Sequence, residues 1–172
     1  MKLSDKTCLA IFDLQKQYPQ KRSALIPALH LAQSEIGYLP REIQNEIALL
    51  FEIPSNEVNS VVTFYDMFFE EPVGKHILHV CKNVSCMLRG ADSVLSKLCQ
   101  KLQIHPGETT GDQQFTVIAS ECLGACDLAP VIIVDDKTTG PVKEEDLDKI
   151  LADAKKGPGH PSPVAQLETG HA

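Results

Sequence analysis

His79-Val-Cys-Lys-Asn-Val-Ser-Cys86-Met-Leu-Arg-Gly90 and Glu121-Cys-Leu-Gly-Ala-Cys126 decide how this chain reads. The spacing is C-x4-C, then 35 residues, then C-x3-C. An apolar run of strand character precedes each pair, His76-Ile-Leu-His-Val80 and Phe115-Thr-Val-Ile-Ala119. Each pair lies in a short segment of little side-chain bulk, so two loops at strand ends bring four thiolates around one metal centre. A [2Fe–2S] rhomb takes four thiolates. Three or four intervening residues let both sulfurs of a pair face the cluster while the loop wraps it. Cys81, Cys86, Cys122 and Cys126 are therefore the expected ligands. Gly124 allows close backbone approach. The backbone N–H groups of Val84, Ser85, Met87, Gly124 and Ala125 are the expected donors to the cluster sulfurs. Such donors raise a reduction potential. Arg89, the first cation after the first pair, is expected to offset the cluster's negative charge.

Other chemistries fit less well. A structural four-cysteine zinc module for protein interaction is the alternative, but such sites usually use C-x2-C pairs. A dithiol oxidoreductase wants C-x-x-C, which the sequence lacks. His79 shares a strand face with Cys81 and is a ligand type known from Rieske centres, yet four cysteines already complete the shell. Cys99 follows Leu95 by four on a helix and reads as a packed thiol; Cys8 lies outside the site. Asp135-Asp136 reads as a strand-end turn rather than a metal pair.

Composition narrows the class further. At 172 residues the chain holds one ordinary domain, or a small domain with an appendage. The formal net charge of −7 argues against general nucleic-acid binding and against electrostatic docking on an anionic membrane. No apolar run approaches the roughly 18 residues of a spanning helix, so no membrane insertion is expected. The N-terminus lacks the apolar region of a signal peptide. The expected setting is a reducing cytosol, where clustered cysteines more often bind metal than form disulfides.

Along the chain, a short amphipathic helix with Cys8, Ile11, Phe12 and Gln15 on one side ends near Tyr18-Pro19. Leu25, Ala28, Leu29, Ala32 and Ile36 recur at helical spacing, with Pro27 near the first turn and Gly37 as the stop. A third helix starts with Pro40 at its first position, and a fourth has Ser55 as N-cap. Thr63-Phe-Tyr-Asp-Met-Phe-Phe69 carries five large apolar side chains and is expected to be core, with a partner interface as the alternative. The pattern then becomes strand, helix (Arg89 to Gln103), strand, strand (Pro130–Val134), helix (Glu144 to Lys156), with a short edge piece at Gly140-Pro-Val142. This predicts an α+β chain: a helical bundle over residues 1–74, a thioredoxin-like α/β domain over 75–156 and a disordered tail over 157–172. His160 and His171 are too sparse in that tail to hold metal, and no phosphate-cradling glycine motif occurs.

Together these segments resemble the 24-kDa (E) component family of NADH:quinone oxidoreductase, respiratory complex I, over about residues 8 to 156. The resemblance rests on Lys21-Arg-Ser-Ala-Leu-Ile-Pro-Ala-Leu-His-Leu-Ala-Gln33, Val62-Thr-Phe-Tyr65, Pro72-Val-Gly74, Val80 through Gly90, and Glu121 through Cys126 with Ala129-Pro-Val131. It implies a thioredoxin-like [2Fe–2S] ferredoxin domain, with Cys81, Cys86, Cys122 and Cys126 matching the family's four cluster ligands. It also implies a flavoprotein partner that binds FMN and NADH, and a place in a larger respiratory complex, cytoplasmic and peripheral to the inner membrane. This chain's share is then electron transfer, with no substrate site of its own. The same subunit in a soluble NAD-linked hydrogenase or formate dehydrogenase is the alternative assembly. The chain departs from the family's pattern after Asp136, where Lys137-Thr-Thr-Gly-Pro-Val-Lys-Glu144 replaces an aromatic-containing hairpin and leaves the last strand open.

Overall fold

A computed structural model describes residues 2–159. The expected tail lies outside the described residues from His160 onward. Within them the chain divides after Pro72 into a helical unit and an α/β unit.

The helical unit holds α1 (Asp5–Gln17), α2 (Leu25–Ile36), α3 (Arg41–Phe51) and α4 (Ser55–Phe64). Local chemistry sets their ends. Ser4 caps α1 by accepting from the Thr7 N–H at 3.3 Å. Gly37 stops α2 with a left-handed φ of 91°. Pro27 falls in the first turn of α2, where the missing N–H has no partner to lose. Pro40 and Pro54 differ from expectation by one residue. Each has extended ψ and stands just outside its helix, so Ser55 is the first helical residue and not the cap. Most of the apolar stripes meet: Ile11, Leu25, Ala28, Leu29, Ala32, Ile43, Ile47, Val58 and Val62 form one buried cluster, with Ile36 and Leu50 partly buried against it, whereas Phe12 is exposed.

The aromatic segment after α4 splits. Phe68 is buried in that cluster and Tyr65 packs at its edge, whereas Phe64 and Met67 are 76% and 42% exposed. Gln33 on α2 ties the segment down. Its Nε2 donates to the Met67 carbonyl at 2.8 Å and its Oε1 accepts from the Phe69 N–H at 2.9 Å.

In the α/β unit, β1 (His76–Cys81), β2 (Phe115–Ser120), β3 (Ile132–Val134) and β4 (Lys137–Thr139) form one sheet in the order β2-β1-β3-β4. β2 runs parallel to β1; the other pairings are antiparallel. A parallel pair needs a crossover, supplied by α5 (Val84–Leu88), α6 (Ala91–Leu102) and the following loop. The helix expected from Arg89 is α6, and α5 is an additional short helix before it, separated from it by the left-handed φ of 92° at Gly90. α6 and α7 (Leu147–Lys156) bury Val94, Leu98 and Leu147 with Leu78, Val80, Val117 and Ile132. The edge strand is also displaced from expectation. Asp135, at φ 55°, and Asp136 make the turn, which fixes Val134 opposite Lys137 and starts β4 there, three residues before Gly140.

Gly74 leads into β1 hard against the start of β2. Its N–H donates to Thr116 Oγ1 at 2.7 Å, and a methyl on its Cα would lie 2.7 Å from the Phe115 carbonyl carbon. Gly74→Ala is expected to destabilise this unit by about 1–3 kcal/mol, read as a lowered urea midpoint at unchanged m-value. Gly111→Ala, with nothing within 4 Å of the new methyl, is the matched control.

Candidate metal centre

The β1–β2 register places the four cysteines. Cys81 is the last residue of β1 and pairs with Ser120, the last of β2. The two cysteine segments therefore leave the carboxyl ends of adjacent parallel strands, the edge where open α/β sheets carry their ligands. The Lys82 N–H donates to the Ser120 carbonyl at 2.9 Å and keeps the strands together one step further. Cys86 returns to the site on α5, which starts because Asn83 Oδ1 accepts from the Val84 N–H at 2.9 Å. On the second loop Gly124 takes a left-handed φ of 79°, and a one-turn 3-10 helix over Cys126–Leu128 carries the last thiol.

The four thiols stand as two pairs of different character. Cys81 and Cys86 are each 2% exposed and pack with Ala91, Ala129 and Val131. Cys122 and Cys126 are exposed, with their sulfurs 3.7 Å apart. Burial pushes the Cys81 thiol up, but the backbone N–H groups of Leu123 and Asn83 and a hydrogen bond from Cys86 outweigh it, so the net direction is down, toward thiolate. Cys86 moves up, from burial first and then from donating to Cys81, against a hydrogen bond from the Val131 backbone. Cys126 also moves up, chiefly through its hydrogen bond with Cys122, and the Ser85 side chain opposes this. The charge on Cys81 also raises Cys86 and Cys126, yet among the described residues no three potential ligand side chains stand close enough together to hold a metal ion, so the two thiol pairs remain separate. Four thiols with backbone donors, one of them, Cys81, already tending to thiolate, make a donor set whose chemistry fits an iron–sulfur cluster.

Two of the five backbone donors expected from the sequence are engaged elsewhere. The Val84 N–H is taken by the Asn83 side chain, and the Met87 N–H by the Asn83 carbonyl at 2.9 Å, both within the start of α5. Leu123, Asn83 and Val131 supply backbone donors to the thiols, and Ser85 contributes its hydroxyl. The Ala125 carbonyl accepts from the Leu128 N–H at 3.0 Å, closing the turn around Cys126. Arg89 is exposed at the C-cap of α5. A cation that bridges the loops is Lys82, paired to Glu121 at 3.1 Å, with Asn83 Nδ2 at 3.5 Å from the same carboxylate. Each partner stands next to a cysteine in sequence, which is the signal that was there to be read. The pair is largely open to solvent, which screens it, so it adds little to stability. His79 engages Ser120 Oγ through Nδ1 at 2.9 Å, a tie between β1 and β2. Cys99 packs against the core of the α/β unit and Cys8 against that of the helical unit.

Two thiol-bearing loops at the carboxyl edge of a small mixed sheet define a class of cysteine-centred α/β module. The model of the thioredoxin-like [2Fe–2S] ferredoxin family matches residues 11–155, and the chain belongs to that family. A [2Fe–2S] cluster is therefore its cofactor. Over 135 residues the chain is 44% identical to the second E component of the NADH-quinone oxidoreductase of Rhizobium meliloti (strain 1021), across 78% of this chain and 80% of that one. It is 40% identical to HndA, a component of the NADP-reducing hydrogenase of Solidesulfovibrio fructosivorans, across 78% and 79%. A crystal structure of an NAD+-reducing [NiFe]-hydrogenase in the H2-reduced state matches with a TM-score of 0.66 at 25% identity, covering 77% of this chain and only 22% of that chain. These relatives are thus components of larger oxidoreductases. Among the described residues no helix is long and apolar enough to cross a membrane.

Proposed function

We propose that this chain is the electron-transfer subunit of an NADH:quinone oxidoreductase. In this reading one [2Fe–2S] cluster is held by Cys81, Cys86, Cys122 and Cys126, beside the FMN of a flavoprotein partner that binds NADH. The observation that carries it is the register ending β1 at Cys81 and β2 at Ser120, which sends both thiol pairs out of one sheet edge. The 44% identity to a component of such an oxidoreductase supports the assembly. The cluster supplies one-electron uptake and release; the chain's residues fix where it sits. Cys81 and Cys86, with Ala129 and Val131 around them, keep water from the inner side, while Cys122 and Cys126 face outward, toward a partner's redox centre. The chain carries electrons and has no substrate site of its own. Residues 1–74 act as a helical domain holding the cluster domain, 75–156, on its partner, and 157–172 as a tail. The location is cytoplasmic, peripheral to the inner membrane through the complex.

A second reading places the same chain in an NAD-linked hydrogenase, favoured by the similarity to a hydrogenase component at 40% identity and to a hydrogenase structure. Purified protein is expected to be red-brown, with a [2Fe–2S] EPR signal on reduction. A colourless chain with one zinc would overturn the cluster assignment. Co-purification separates the assemblies: membrane-arm subunits support the first, and a nickel subunit selects the second.

A further inference from the structure

The stretch that departs from the family's pattern after Asp136 lies against the second cysteine loop. β4 exits through Gly140 directly beneath Leu128, two residues after Cys126. A methyl at Gly140 would collide with the Leu128 carbonyl oxygen and lie 3.0 Å from the Leu128 Cβ. Two residues on, the buried Val142 donates its N–H to the Pro130 carbonyl at 2.9 Å. Residues 140–142 therefore underlie 128–130 at two points. The supported strip continues into the metal centre. Val131 accepts from the Cys81 N–H at 3.1 Å, and its backbone also bonds the Cys86 thiol. At the other end the Ala129 N–H returns to the Cys126 carbonyl at 3.3 Å, so any displacement of Leu128 is passed to the residue bearing that thiol.

We propose that Gly140 is a positioning residue for the metal centre. Having no side chain, it lets the exit of β4 seat under Leu128, and that seat sets the height of the Cys126 turn relative to Cys81 and Cys86. The conformation itself does not demand glycine, since Gly140 is not among the glycines with positive φ. The requirement is steric, and alanine tests it cleanly. This inference rests on Cys126 being a cluster ligand.

In the full-length, cluster-loaded chain, Gly140→Ala is expected to change the EPR g values, shift the midpoint potential and speed cluster loss to a chelator about tenfold or more, the range for disturbed outer-shell support. Gly111→Ala is expected to match the unaltered protein in all three. Unchanged g values, potential and loss rate in Gly140→Ala overturn the proposal. If that variant does not fold, the unaltered chain still decides. Because coupling is reciprocal, removing the cluster should speed hydrogen exchange at the Val142 N–H and leave the His76 N–H, bonded to Gln114 at 2.8 Å near the start of β1, unchanged. Equal exchange at Val142 in both forms overturns it. An unaltered chain that takes up no cluster fails differently: it overturns the ligand assignment, and this inference with it.

Discussion

Cys86→Ala is expected to abolish the visible absorption and the reduced-state EPR signal of the full-length chain, while Cys99→Ala keeps both. Cys86 lies on α5, 2% exposed, between Cys81 and the Ala129–Val131 wall. A methyl there offers iron no lone pair, and the burial gives water little access to replace the lost ligand. Alanine is the better probe than serine, whose oxygen remains a donor. The partner thiol should feel the change too. Cys86 donates to Cys81, one of the contacts that draw Cys81 toward thiolate, so the substitution removes a ligand and weakens its neighbour. Cys99 contrasts at each point. It packs against the core of the α/β unit, and burial first, then Glu108, pushes its thiol up, so it stays protonated. Its removal costs about 1 kcal/mol of packing and should leave the spectrum alone. Equal loss of signal in both variants would mean that the ligands are misassigned.

The contrast between these two cysteines shows what a sequence makes legible. Cys86 announces itself by its spacing from Cys81, and Cys99 by its place in a 3.6-residue pattern; both are one-dimensional signals. Gly37, the strand-like runs before Cys81 and Cys122 and the apolar face of α7 are of the same kind, since each depends on near neighbours in the chain. The donors to the sulfurs are not. Val84 and Met87 flank Cys86 in sequence, but the capping of α5 by Asn83 claims both N–H groups. Val131 donates instead, 45 residues from Cys86 in sequence and adjacent to it only because β3 lies antiparallel beside β1. The edge strand was misplaced for a related reason. Local composition points to Gly140-Pro-Val142 as the edge piece, whereas the register is set upstream by the turn with positive φ at Asp135, which starts β4 at Lys137. That turn is itself pinned from a distance: Asp135 accepts from the Ile77 N–H and pairs with the His76 ring, each at 2.9 Å.

Gln33→Ala is expected to destabilise the helical unit by about 2–4 kcal/mol, because one side chain serves two main-chain groups at once. The Met67 carbonyl and the Phe69 N–H each lose a partner at 2.8–2.9 Å, and a desolvated group left unpaired costs about 1–3 kcal/mol. Gln33 is 4% exposed among apolar residues of α2. A helical-pattern reading passes over it, since a polar residue beside Ala32 marks the edge of the stripe and says nothing about a segment more than thirty residues on. Two other holds act on that segment: the Leu39 N–H donates to the Phe69 carbonyl at 2.6 Å, and Phe68 packs against the His30 ring at 4.8 Å between centroids and against Tyr65 at 6.3 Å. Urea unfolding followed by helical circular dichroism reads the total loss, and limited proteolysis between Tyr65 and Phe69 reads where it falls. Gln33→Leu keeps the volume and removes both bonds, so it should lose nearly as much as Gln33→Ala if the bonds dominate. A loss below about 0.5 kcal/mol, the range of an ordinary surface substitution, would mean that water replaces both bonds and that Phe68 and the Leu39–Phe69 main-chain bond anchor the segment without Gln33.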